Sequence, residues 1–130
     1  MSYTSIPTDV NALSKEVIGL AIKVHSHLGP GLLESSYKAC LFYEISKAGI
    51  VVEKEKALPL IYETITLNVG YRLDLLVEKK LLVEVKAVEA LNDVHTAQVL
   101  TYLKLSRCRL GLLINFNVNR LKEGIKRLVL

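Results

Sequence analysis

The sequence predicts an α/β or α+β domain, one sheet with helices packed against it, in the rough order ααββββαβ. Three observations predict it. Apolar residues recur at helical spacing between Asp9 and Lys47. From Ile50 to Lys86 the texture changes to short strand-like runs separated by turn residues. After one more helical stretch, RLGLLINF is a continuous apolar run of strand length, as a buried central strand has.

Residues 1–8 lack periodicity and are expected to be a loose arm, with residues 9–130 as a single domain. From Asp9 to Leu28 the apolar positions are Val10, Leu13, Val17, Leu20, Ala21, Val24 and Leu28, a helical stripe. Thr8 or Asp9 is placed to cap its start, and Gly29-Pro30 stops it. A second helix is expected from about Leu32 to Lys47, with Gly49 as its stop. Ile50 to Ala57 reads as a strand. Pro59 breaks it, and LPLIYE and TITLNV read as strands joined by a turn at Glu63-Thr64. YRLDLLV and LLVEVK follow as two strong strands around Glu78-Lys79-Lys80. Residues 93–105 are helical, with Val94, Ala97, Gln98, Thr101, Tyr102 and Leu105 expected on one stripe. The tail, 119–130, reads as a short helical turn and a last strand.

With 51% hydrophobic and 23% charged residues, the chain as a whole is globular in composition, not disordered. No apolar run approaches the roughly 18 residues that span a bilayer. The N-terminus lacks a basic region followed by an apolar stretch, so no signal peptide is expected and the cytoplasm is the expected location. Cys40 and Cys108 match no zinc spacing and read as small buried residues. The net charge of +4 suits a phosphate-bearing partner. Its late basic residues, from Lys104 to Arg127, read as a solvated surface.

The informative feature is a pair of carboxylates. With YRLDLLV and LLVEVK as a hairpin, one parity puts Tyr71, Leu73, Leu75, Val77, Leu81, Val83 and Val85 on a wholly apolar face. A three-residue loop, 78–80, then places Asp74 directly opposite Glu84. Opposed side chains have Cβ atoms only about 4.5–5.5 Å apart, and like charges there are destabilising. A divalent cation such as Mg²⁺, which takes oxygen ligands from one or two carboxylates plus water and phosphate, would explain the pair. Lys86 shares that face and is placed to hold a water aimed at phosphorus or to steady developing charge. The plainer alternative is an exposed hairpin in which Asp74 pairs with Arg72 or Lys86.

Two other places bear on that choice. Glu34, in GLLESSY, lies along one helix face with Tyr37 and Leu41 and would bring a third acid near the sheet. Gln98 falls inside an apolar stripe four residues before Tyr102, and a buried glutamine must find partners. His25, at the end of the first helix, is expected within reach of Glu34, although the helix dipole alone favours a histidine there.

Gly31–Tyr37 (GLLESSY), Asp74, Glu84–Lys86 (EVK) and Gln98–Tyr102 (QVLTY) together resemble the family named for its GxxExxY motif, a branch of the PD-(D/E)XK nuclease-like superfamily. HSHLGPGLLE and GLLINF add to the likeness, which covers roughly residues 10–128. The chain departs from the superfamily name at one point, where Leu73 stands before Asp74 instead of proline. The resemblance implies a restriction-endonuclease-like mixed sheet flanked by helices. It implies a nuclease that hydrolyses phosphodiester bonds with Mg²⁺ or Mn²⁺. Asp74, Glu84 and the Val85 carbonyl would hold the metal, and Lys86 would be the catalytic lysine. Glu34 would complete or orient the site, and Gln98 and Tyr102 would line it. The expected partner is nucleic acid, DNA ahead of RNA, with a homodimer also expected from the long apolar runs. The alternative is an inactive nucleic-acid-binding or assembly protein on the same fold.

Overall fold

The computed structural model describes residues 7–130, so the expected N-terminal arm lies largely outside the described residues. Helix α1 spans Thr8–Leu28 and α2 spans Glu34–Lys47. Strands β1 (Val52–Ala57), β2 (Leu60–Tyr62), β3 (Ile65–Leu67), β4 (Arg72–Val77) and β5 (Leu81–Lys86) follow. Helix α3 (Asp93–Ser106), β6 (Leu110–Asn115), a 3-10 turn (Leu121–Gly124) and β7 (Ile125–Val129) complete the chain. Among the described residues five strands precede α3 and one closes the chain after β6, as the individual segments read, so the condensed order ααββββαβ is one strand short at each place. LPLIYE and TITLNV form the expected pair of strands, but as a separate two-stranded hairpin, β2-β3, outside the main sheet.

The main sheet has the order β1-β4-β5-β6-β7. Among the described residues only β5 and β6 run parallel; the other neighbours in this sheet are antiparallel. A parallel pair needs a long crossover, and α3 supplies it. Helices α1 and α2 pack on one face, where Val17, Ala21, Val24, Tyr37, Leu41 and Ile45 meet Leu75, Val83, Val85, Leu112 and Ile114. Helix α3 covers the other face through Val99, Tyr102 and Leu103 against Leu82 and Leu113. Fully burying one such aliphatic side chain contributes about 1.5–3 kcal/mol, so the two layers hold the sheet from both sides.

Three local expectations change. Neither Thr8 nor Asp9 caps α1: Thr8 is already helical, and the Pro7 carbonyl takes the N–H groups of Val10 and Asn11. Proline's restricted φ suits a chain entering a helix, so no side-chain cap is used. On α3 the buried residues are Val99, Tyr102 and Leu103, while Val94, Ala97 and Thr101 face out. The helix is turned because Gly111 on β6 has no side chain: a Cβ there would meet Val99 Cγ1 at 3.1 Å and Leu103 Cδ2 at 3.2 Å. Finally, Leu73 leaves the apolar face predicted for it and joins the cluster under α3, and Tyr71 is exposed against Tyr102. The change of face falls at Asp74, where the β1–β4 pairing skips a residue and the β4–β5 pairing ends.

Candidate functional site

Asp74 and Glu84 come together at the open end of the β4–β5 hairpin. The register pairs Val77 with Leu81, Leu76 with Leu82 and Leu75 with Val83, so the parity expected for the 78–80 loop holds. One step further, side chains replace the ladder. The Asp74 N–H donates to Glu84 Oε2 at 3.1 Å, and the Val85 N–H donates to Asp74 Oδ2 at 2.8 Å. Each carboxylate is therefore pinned to the opposite strand's backbone. The strands part because the carboxylates fill the space between them.

Glu84 is 4% exposed. Burial, and then the charge of Asp74, push its pKa from 4.5 up to about 9. A carboxyl so placed gives up its proton readily only when a positive charge arrives. Burial also raises the Tyr102 phenol, with Glu84 the next cause, so Tyr102 faces the pair. Lys86 Nζ donates to Gln98 Oε1 at 3.4 Å, and Gln98 also interacts with the Tyr102 hydroxyl. Asp74, Glu84, Lys86, Gln98 and Tyr102 thus form one connected group where β4 and β5 meet α3.

Glu34 is placed differently. It opens α2, and among the described residues no group of three or more His, Cys, Asp or Glu is arranged to hold a metal. Its neighbour one turn on is Lys38, a residue the sequence reading did not single out. Lys38 Nζ lies 3.1 Å from Asp74 Oδ1 and 2.6 Å from Glu55 Oε1. Burial pulls its pKa down, but the bonds to Glu55 and Asp74 outweigh it and hold the ammonium above the ordinary lysine value. The signal that could have found Lys38 is its four-residue spacing from Glu34 on one helix face.

The remaining motif residues hold the frame. Tyr37, fully buried, donates its hydroxyl to the Gly29 carbonyl at 2.6 Å and accepts from the Leu32 N–H at 3.1 Å. Its ring stacks on Phe116. His25 does not turn to Glu34: its Nε2 lies 2.7 Å from the Val118 carbonyl, because α1 packs that ring beside Phe116. Asn115, also missed by the sequence reading, accepts from Val88 N–H and donates to the Val88 carbonyl, tying β6 to the segment after Lys86.

The donor set suits a hard divalent ion. The two contacting carboxyl groups supply oxygen ligands, and Mg²⁺ fills the rest of its shell with water and phosphate oxygens. Among the described residues, no helix is long and apolar enough to cross a membrane. A family model described as the PD-(D/E)XK nuclease superfamily matches residues 11–128. No curated protein and no solved structure matches the chain.

Proposed function

Because the chain belongs to the PD-(D/E)XK nuclease superfamily, whose nucleases generally use divalent metal ions and whose restriction-endonuclease-like fold it has, we propose that it is a Mg²⁺- or Mn²⁺-dependent nuclease. Asp74, Glu84 and the Val85 carbonyl hold the metal in this reading. The observation that carries it is the contact between two carboxyl groups, one of them buried, at the parting of two strands. Once bound, the ion would polarise the phosphate and lower the pKa of the attacking water.

The chain's own residues do the rest. Glu84 accepts from the Asp74 N–H, which fixes it in the site, and would lose its proton to hold the ion. Gln98 accepts from the Lys86 ammonium, which would orient water or meet charge developing on phosphate oxygens. Tyr102 closes the α3 side, and Glu34 is the acid of α2 that orients the site one turn from Lys38.

Within the superfamily we assign the chain to the GxxExxY branch, supported by Gly31–Tyr37 and by the work Tyr37 does in that turn. DNA is the substrate placed ahead of RNA, and the cytoplasm is the assigned location. The homodimer belongs to the same reading, supported by exposed Ile61, Tyr62, Ile65 and Leu67 on the β2-β3 hairpin. The test is incubation with single- and double-stranded DNA and RNA in Mg²⁺, Mn²⁺ or EDTA. Metal-dependent cleavage lost in Glu84→Gln is the expected result. Binding without cleavage under every condition would turn the assignment to a binding module.

A further inference from the structure

We infer that Lys38 is a built-in counter-ion of Asp74, a positioning residue that the divalent ion must displace and that thereby sets metal affinity. The inference rests on the metal-dependent reading above.

Three observations carry it. Lys38 reaches from α2 across to the sheet and places its ammonium against Asp74 Oδ1, while Asp74 Oδ2 is taken by the Val85 N–H. Both oxygens of the metal-binding carboxylate thus have a partner within the chain. The same ammonium is shared with Glu55 at the shorter distance of 2.6 Å. Glu55, in turn, has φ of 55°, a left-handed conformation that residues other than glycine adopt reluctantly. It falls at the step that the β1–β4 pairing skips, opposite Asp74. The strand is strained where Glu55 turns toward Lys38, as expected where the surrounding structure over-determines an unfavourable backbone.

The arrangement gives the ammonium two holders. When a divalent ion neutralises Asp74, Lys38 is repelled from it and is retained by Glu55, so no charge is stranded in the half-buried space. Removing Lys38 removes both the competitor for Asp74 and a positive charge beside the ion, and metal binding tightens. Removing Glu55 leaves Asp74 as the sole holder of Lys38, and metal binding weakens.

The test is calorimetric titration of the whole chain with Mn²⁺, without nucleic acid, at a temperature well below each variant's Tm. Lys38→Met should lower the Kd for Mn²⁺ about tenfold, Lys38→Arg should restore it toward wild type, and Glu55→Gln should raise it several-fold. In a Lys38→Met background, Glu55→Gln should change the Kd far less. Equal Kd values in wild type and Lys38→Met, or weaker binding in Lys38→Met, overturn the inference and leave the metal site standing. Absence of any Mn²⁺ binding by wild type overturns both. A metal-free arm separates the two further. In EDTA, Lys38→Met should lower Tm by more when Asp74 is present than in an Asp74→Asn background. Additive effects there would overturn the counter-ion assignment by themselves.

Discussion

One phenol oxygen bonds twice within the turn that leads into α2. Tyr37 gives its hydrogen to Gly29 and accepts one from Leu32, while its ring stays stacked on Phe116. Tyr37→Phe keeps the stacking and removes both bonds, so it should cost about 1–2 kcal/mol, the usual worth of one or two neutral hydrogen bonds. Urea unfolding checks it, and an unchanged midpoint would mean that water replaces the hydroxyl fully. Lys86 has the opposite character. Its long bond to Gln98 does not anchor the fold. Lys86→Ala should leave the Mn²⁺-induced rise in Tm intact, and cleavage should fall by about two orders of magnitude or more, as for other single electrostatic or acid–base groups. Equal cleavage by wild type and variant would remove Lys86 from the reaction.

Elements were legible where a pattern has only one physical solution. A one-residue slip in the β4–β5 hairpin would mix apolar and charged faces, so Asp74 and Glu84 could be paired from sequence. Leu73 could not be placed, because the bend at Asp74 depends on carboxylates bonding to the opposite backbone, a tertiary event with no periodicity. Lys38 is harder to find for a related reason: its spacing from Glu34 puts it on the same helix face, but its partners lie on β1 and β4, beyond any local pattern. The face of α3 differs from the expected stripe because helical spacing within Val94–Leu105 carries no information about the sheet beneath it. What turns the helix is Gly111, on another element, where an absent side chain admits Val99 and Leu103. Gly111→Val should therefore overpack this contact, at about 1–3 kcal/mol. It should also reduce cleavage beyond the loss of folded protein, since α3 carries Gln98 and Tyr102. A variant with wild-type urea midpoint and activity would show that α3 has room to spare.

At the scale of the whole molecule, the buried acid couples folding to pH and to metal. Burial, and then the charge of Asp74, raise the Glu84 carboxyl from its ordinary 4.5 to about 9 in the fold. Its pKa is raised by folding, so its favourable contribution is complete below about 4.5 and is lost as pH rises toward 9. Between those values the folded chain holds a proton that the unfolded chain has released, which makes stability fall with rising pH. Glu84→Gln keeps a side-chain oxygen for the Asp74 N–H and cannot lose a proton. In EDTA, the Tm of wild type should therefore drop relative to that of Glu84→Gln between pH 5 and pH 9. Metal reverses the order. An ion that binds only the folded site stabilises it by about 2.7 kcal/mol at a hundred times its Kd. That gain grows with pH, because the ion must replace the Glu84 proton, and Glu84→Gln cannot share it. Differential scanning fluorimetry of both proteins across pH, with EDTA or saturating Mn²⁺, reads the crossing directly. Parallel pH profiles in EDTA would mean that Glu84 is ionised in the free protein. An equal Mn²⁺ shift in both would mean that the ion binds elsewhere.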